Sequence, residues 1–346
     1  MPLILGIDTS NYTTSVALVD DRGHLVIQER KLLDVEAGER GLQQSAAVFQ
    51  HLIRLPELVE RLWGKKLADR VELIAVTTRP RPQEGSYMPV FRVGEGYART
   101  LATALQTPLL ETTHQEGHLM AGLWSAGGPQ GEEFLAVHLS GGTTELLKVK
   151  RVSKVKQIGE LGAVRSVAQE FFQVELLGGT QDLHAGQFVD RVGVALGLSF
   201  PAGPSMEKLA LEAGESELSL PSSVKGLSIS FSGPESQAQR LIAAGQNPAE
   251  VARAVEKCIA ASLEKILRQA VQDLGIQEIL MVGGVAANQY IRKRLKQRLE
   301  HPAVKAKLFF AEPAYSSDNA VGVAMLGREY LLKNGNCWQE RGILID

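Results

Sequence analysis

The chain has 346 residues, 44% hydrophobic and 22% charged, with a formal net charge of -2, enough for two ordinary domains and too apolar for a disordered chain. The near-neutral balance excludes a globally basic nucleic-acid binder, so contact with RNA would need a local patch or a partner. Cys258 and Cys337 give no disulfide framework, and Leu3-Ile4-Leu5 is too short for a signal segment; with no stretch of membrane-span length, a cytoplasmic location is expected.

In chain order, the pattern predicts a strand Leu3–Ile7, a polar turn Asp8–Thr13 and a return strand Thr14–Val19. A second turn at Asp20-Asp21-Arg22-Gly23 leads into a strand His24–Arg30. Gln43–Trp63 reads as an amphipathic helix that Pro56 should kink or break. Val71–Thr77 is a strand, Gly94–Gln106 a helix, and Pro108–Glu111 a short strand leading to a helix with two histidines. Ser125 through Gly131 is rich in glycine and marks the division into residues 1–128 and 129–346. Then the opening device returns: strand Phe134–Leu139, turn Ser140-Gly141-Gly142-Thr143, return strand Thr144–Val149. Helices Asp182–Leu196, Ser205–Ala213 and Pro248–Leu274 follow, then strand Glu278–Val282, helix Ala286–Leu299, strand Ala306–Phe310 and helix Asp318–Lys333. The echo predicts two similar α/β lobes, each a mostly parallel sheet opened by a hairpin whose tip faces the other.

The most informative stretch is His114-Gln115-Glu116-Gly117-His118. Residues i and i+4 lie roughly 5–6 Å apart on one helix face, so both imidazoles can reach one metal ion. Asp318, in Ser316-Ser317-Asp318-Asn319, is the best third ligand. Two neutral imidazoles and a carboxylate suit zinc or ferrous iron and leave coordination positions open. The same pair also fits a helix with one capping or packing histidine and one solvated.

Glycine and hydroxyl clusters fall at predicted strand ends, where such sheets bind ligands. Ser140-Gly141-Gly142-Thr143-Thr144 can cradle phosphate with backbone N–H groups, and Gly283-Gly284 precedes a helix N-terminus that can face an anion. Pro201-Ala202-Gly203-Pro204 could wall an adenine pocket, and Asp190 could accept from ribose hydroxyls. Each motif alone also fits an ordinary turn.

Taken together, these residues resemble the actin-like ATPase and sugar-kinase superfamily, and within it the TsaD family of tRNA threonylcarbamoyltransferases. The resemblance covers Gly6-Ile7-Asp8-Thr9-Ser10, His114 through His118, Ser140-Gly141-Gly142, Gly186 through Pro204, Ser230-Phe231-Ser232-Gly233, Gly283 through Asn288 and Ser317-Asp318-Asn319. It implies a two-lobed fold with a cleft between duplicated lobes. His114, His118 and Asp318 would hold one divalent metal, iron or zinc, acting as Lewis acid and template. His138, Leu139, Ser140, Gly141, Gly142, Asp190, Gly203 and Asn288 would line the site for an adenine nucleotide or acyl-adenylate. A threonylcarbamoyl group would pass to a tRNA adenosine, with protein partner subunits and no membrane involved.

The chain departs from the family at four places. Where the family has Cys-Asp-Glu-Thr, this chain reads Asn11-Tyr12-Thr13-Thr14, without either carboxylate. Thr143 replaces the usual His, Arg79 through Gly85 replaces a Gly-Pro-Gly turn, and an insertion lies near Gln157–Leu177. The departures keep other readings open: a paralogue with another carbamoyl acceptor, a non-catalytic assembly or regulatory subunit, or a sugar kinase, for which fold alone licenses nothing. A metalloprotease is disfavoured because Glu116 lies on another helix face from the two histidines. Arg79, Arg81, Arg92 and Arg99, with Arg292-Lys293-Arg294, could contact phosphates, although solvated charges are the simpler reading. His24, His51 and His301 read as exposed or packed, His184 as a helix-start residue, and Trp63, Trp124 and Trp338 as core or rim aromatics.

Overall fold

The computed structural model describes residues 1–10, 12–35, 42–63, 67, 70–154, 159–161, 164–214 and 216–334. Asn11, Cys337, Trp338 and part of the insertion lie outside the described residues. Strands β1 (Leu3–Asp8), β2 (Thr13–Asp20), β3 (Leu25–Leu32), β4 (Val71–Arg79) and β5 (Leu109–Thr113) come first. They are followed by β6 (Glu133–Leu139), β7 (Thr144–Arg151), β8 (Gly159–Leu161), β9 (Val164–Ala168), β10 (Phe172–Thr180), β11 (Ser223–Lys225), β12 (Ser228–Ser230), β13 (Glu278–Val282) and β14 (Lys307–Phe310). The helices are α1 (Gln44–Trp63), α2 (Phe91–Leu105), α3 (His114–Ala126), α4 (Ala185–Ala195), α5 (Gly203–Leu211) and α6 (Ser232–Ala243). The last four are α7 (Pro248–Leu274), α8 (Gln289–Leu299), α9 (Pro313–Ser316) and α10 (Val321–Lys333).

The strands form two sheets, in the orders β3-β2-β1-β4-β5-β9-β8 and β11-β12-β10-β7-β6-β13-β14. Within them β3-β2-β1-β4-β5 and β10-β7-β6-β13-β14 repeat one plan: an antiparallel hairpin, a third antiparallel strand, and two parallel strands on the other side. The duplicated lobes are thus present, but each sheet is mixed rather than mostly parallel. The chain passes from the first sheet to the second between α3 and β6, then returns. Strand β9 pairs with β5, and α10 packs against β1, β4 and α3.

Strand β1 shows how sequence builds this core. All six residues of Leu-Ile-Leu-Gly-Ile-Asp are buried because helices cover both faces. Side chains alternate between those faces. Leu3, Leu5 and Ile7 pack with Leu55 and Leu58 of α1 and Ala98 of α2. Ile4 packs with Val321 through Leu326 of α10 on the other side. Gly6 lies on that second face, where an added Cβ would come within 2.4 Å of the Ala320 carbonyl, so only glycine lets α10 sit on the strand. The next residue on this face is Asp8, which is aimed toward α3.

Pro56 does not break α1, which runs unbroken for 20 residues. Asp318 does not open the last helix. It lies in the turn before α10, while the side-chain oxygen of Asn319 accepts from the Val321 N–H at 3.0 Å. Helix α7 has the bounds its sequence signals, with Asn247 accepting from Ala249 N at 2.9 Å, Pro248 in the first turn and Gly275 at φ 68° after its end. Among the described residues, no helix is long and apolar enough to cross a membrane.

Candidate metal centre

Helix α3 starts with a capping box. Thr113 Oγ1 accepts from Glu116 N at 3.2 Å, and the Glu116 carboxylate accepts from Thr113 N at 3.3 Å. The same carboxylate accepts from Thr112 Oγ1 at 3.0 Å, Thr113 Oγ1 at 2.9 Å and Phe171 N at 2.7 Å. Burial raises its pKa. Glu116 therefore ties α3 to the entry of β10. It is not free to polarise a metal-bound water, which removes the protease geometry.

The box fixes the first turn so that His114 and His118 share one face. Their Nε2 atoms lie 3.0 Å apart, and Asp318 Oδ1 is 3.2 Å from His118 Nε2 and 3.5 Å from His114 Nε2. These three atoms form a set within 4.8 Å of one another, suited to one metal ion. The second nitrogen of His114 is also held, with Nδ1 3.2 Å from Asp8 Oδ2. Asp8 in turn accepts from Ser10 Oγ at 2.7 Å and Thr77 Oγ1 at 2.5 Å. An outer carboxylate that fixes an imidazole's orientation is what metal-ligating histidines commonly have. In the sequence, Asp8 carries no signal of this role by its residue type alone. The signal was there in the alternation of β1, but reading it required knowing that α3 covers that face.

Electrostatics separate the two imidazoles. Burial lowers the pKa of His114, but the Asp8 and Asp318 carboxylates outweigh it and raise the value to about 10. For His118, burial and the neighbouring His114 charge lower it. The Asp318 carboxyl is held well below the usual range by both imidazoles, against the opposing effect of burial. A third ring, His138, lies 4.6 Å from that of His118; burial drives its pKa well down, and its buried Nε2 has no partner among the described residues. The carboxylate, the two ligating imidazoles, the anchor on His114 and this neutral ring together fit a divalent metal.

A cavity of about 570 Å³ opens beside these groups and is bordered by both hairpin turns, through Ser10 on one side and Ser140, Gly142 and Thr143 on the other. His138 also lines it. Gly141 has open space where a Cβ would stand, whereas a Cβ on Gly186 would meet Gly141 N at 2.6 Å. The turn thus has room on its open side and a helix start packed behind it. Its opposite wall is the loop after β4, with Arg81, Glu84, Tyr87 and Met88.

The remaining expected nucleotide residues are placed differently. The Leu139 side chain is fully buried in the second lobe's core, so only its backbone could face a ligand. Asp190 accepts from Ala202 N at 2.7 Å, next to Gly203, and burial raises its pKa. Asn288 donates to Glu256 Oε1 at 2.6 Å and caps α8 by accepting from Ile291 N at 3.0 Å. None of these three lines the cavity at the histidines. His184 starts α4, its N–H donating to Gln187 Oε1 at 3.2 Å. Tyr12 packs edge-on against Phe200 at 5.5 Å, linking the lobes where the family carries an acid.

Several candidate phosphate contacts are already engaged. Arg92 is 2.6 Å from Glu95, Arg99 is 2.5 Å from Glu111, and Arg294 is 3.6 Å from Glu264. Arg292 donates to the Ala286 carbonyl at 2.7 Å. His24 pairs with Asp20, His51 with Thr14, and Trp124 donates to the Gly23 carbonyl at 3.1 Å.

Known proteins resemble this chain in fold and in sequence. Over 96% of its length the chain resembles HypF in its phosphate- and nucleotide-bound form, at TM-score 0.58 and 15% identity over 46% of that protein. It resembles a glucokinase of the ROK family from Streptomyces griseus, solved with glucose and AMPPNP, at TM-score 0.51 and 13% identity over 94% and 99% of the two chains. Component A of the (R)-2-hydroxyglutaryl-CoA dehydratase of Acidaminococcus fermentans matches at TM-score 0.55 and 12% identity over 95% and 98%. At such identities these likenesses establish the actin-like, sugar-kinase type of fold. In sequence, the tRNA N6-adenosine threonylcarbamoyltransferase of Thermus thermophilus is 33% identical over 328 residues, 93% of this chain and 91% of that protein. The enzyme of the same name from Archaeoglobus fulgidus is 28% identical over 94% and 90%. The profile of the TsaD family, tRNA N6-adenosine threonylcarbamoyltransferase, matches residues 34–170 and 162–325, and the chain belongs to that family.

Proposed function

We propose that the protein is a metal-dependent transferase that moves a threonylcarbamoyl group from its adenylate to a tRNA adenosine. The observation that carries this reading is the convergence of His114, His118 and Asp318, with His114 lining the same cavity between the lobes that Ser140, Gly142 and Thr143 border. In the reaction, the adenosine amine forms a bond to the carbamoyl carbon, the bond from that carbon to the phosphate oxygen breaks, and AMP leaves with the electron pair as the amine loses a proton. A bound iron or zinc ion would supply Lewis acidity and a template for the donor's oxygens. The chain's own residues set the rest. Asp8 orients His114 and Glu116 fixes the first turn of α3. The Ser140 N–H closes the turn on the Thr143 carbonyl at 2.8 Å, which leaves the Gly141 and Gly142 backbone N–H groups to receive the phosphate. Asp190, Gly203 and Asn288 would serve the adenosine end on the second lobe.

Exposed Phe49, Leu52 and Ile53 on α1 support the reading that a protein partner subunit covers the first lobe. A non-catalytic role is favoured by one observation, the packing of Tyr12 on Phe200 at a position where the family has a carboxylate. Incubating the purified protein and its partner subunits with donor and unmodified tRNA decides between them. Formation of threonylcarbamoyladenosine, abolished by a chelator and restored by metal, is the expected result. No product from metal-loaded protein rejects the transferase.

A further inference from the structure

We propose that Arg81 reads the carboxylate on the amino-acid part of the transferred group, and that Glu145 and Gln115 hold its guanidinium in place for that contact. The proposal rests on the transferase reading above and names a specificity determinant within it.

Arg81 lies on the loop after β4, which replaces the glycine turn of the family and is pinned at two points. The Arg81 N–H donates to Ser86 Oγ at 3.0 Å, and the Pro80 carbonyl accepts from Gln115 N at 2.9 Å, in the first turn of the histidine helix. The side chain then reaches across the cleft, where Arg81 Nη2 is 2.5 Å from Glu145 Oε1. Gln115 Nε2 donates to the other oxygen, Oε2, at 3.2 Å. Glu145 is nearly buried on β7, directly after the Ser140–Thr144 stretch. One carboxylate oxygen thus holds the guanidinium, and Gln115 fixes the carboxylate through the other.

That arrangement leaves part of Arg81 for a ligand. Its side chain is 36% exposed, it lines the cavity together with His114 and His138, and its other guanidinium N–H groups have no partner among the described residues. A planar fork with free donors, held on the wall of a cavity, suits an anionic oxygen pair.

The donor carries two anions, a phosphate and a carboxylate. The residues suited to adenosine all lie on the second lobe, and the phosphate falls to the Ser140–Gly142 turn and the metal trio. The acyl end must then extend past the turn toward the loop after β4. Arg81 is the cation on that wall, so the carboxylate is the anion it meets.

The test uses two unreactive donor analogues in which an acyl sulfamate replaces the acyl phosphate, identical except that one has a free carboxylate and the other a carboxamide. Binding of each to the metal-loaded protein is measured by calorimetry for the wild type, Arg81→Gln and Arg81→Lys. The wild type should prefer the carboxylate about tenfold or more, as a charge-assisted contact implies. Arg81→Gln should bring the ratio near one, and Arg81→Lys, which keeps the charge but not the fork, should recover part of it. A ratio unchanged in Arg81→Gln overturns the proposal, as does an equal loss of both analogues. Wild type that binds both equally overturns this proposal alone. Wild type that binds neither overturns the transferase reading with it.

Discussion

Gly322→Ala tests how the fold builds the metal centre. Helices α3 and α10 cross at Gly117 and Gly322, and a Cβ on Gly322 would stand 1.9 Å from the Gly117 carbonyl oxygen and 2.8 Å from Ala121 N. Real Cβ atoms essentially never come under 3.0 Å, so the helices must separate by at least 3.0 − 1.9 = 1.1 Å. Both atoms met are backbone, so no rotamer change relieves the clash. Overpacking of this kind costs about 3 kcal/mol at the upper end of its range, and alanine's helix propensity offsets about 1 kcal/mol. The net destabilisation is about 2 kcal/mol. The effect on the site is larger, because α3 carries both imidazoles and the turn leading into α10 carries Asp318. Metal–ligand distances tolerate about 0.2 Å, a fraction of the forced displacement. The assays are denaturant unfolding and elemental analysis of the purified variant, with Gly96→Ala as control. Gly96 lies in α2 with nothing within 4 Å of an added Cβ, so that variant should be slightly stabilised and keep its metal. A Gly322→Ala protein with wild-type stability and full metal content would refute the coupling between helix crossing and site.

Three other outcomes are expected. Asp318→Ala should abolish metal retention while circular dichroism shows the fold intact; full metal by elemental analysis would remove Asp318 from the ligand set. Asp8→Asn should weaken metal binding roughly 10–100-fold without a matching loss of stability, as read by competition with a chromophoric chelator; unchanged affinity would reject Asp8 as the orienting group of His114. Burial pushes the Cys258 thiol from 9.0 up to about 12. The native state therefore keeps this proton where the unfolded chain loses it, so the contribution to stability is fully present below about pH 9 and lost as pH rises toward 12. Peptide-resolved alkylation should leave Cys258 unlabelled in native protein at pH 8.5, and rapid labelling there would contradict its burial.

Local patterns made much of the fold legible. Both hairpins, the bounds of α7 and strand β13 follow from apolar alternation and capping residues, which act over a few positions. The i, i+4 spacing of the histidines places both on one face of α3, and Asp318 in its Ser-Ser-Asp-Asn stretch is the third-ligand candidate that the resemblance also implies. Pairings set at long range were not legible. Strand β9 returns to the first sheet by pairing with β5, and no local pattern shows that. Strand β10 was missed because its burial is irregular and Gly178 and Gly179 lie near its end. Leu139 and Asn288 match family positions, yet the structure commits the side chain of one to the core and that of the other to a helix cap and Glu256. The Arg81–Glu145 pair joins residues 64 positions apart on different lobes, so it required the assembled cleft.

The central claim is tested most directly by mass spectrometry of tRNA nucleosides from cells depleted of their own TsaD enzyme and supplied with this protein. Restored threonylcarbamoyladenosine with the wild type, and none with a His118→Ala/Asp318→Ala variant, is the predicted result. Wild-type protein that accumulates folded and metal-loaded yet restores no modified nucleoside would contradict the account.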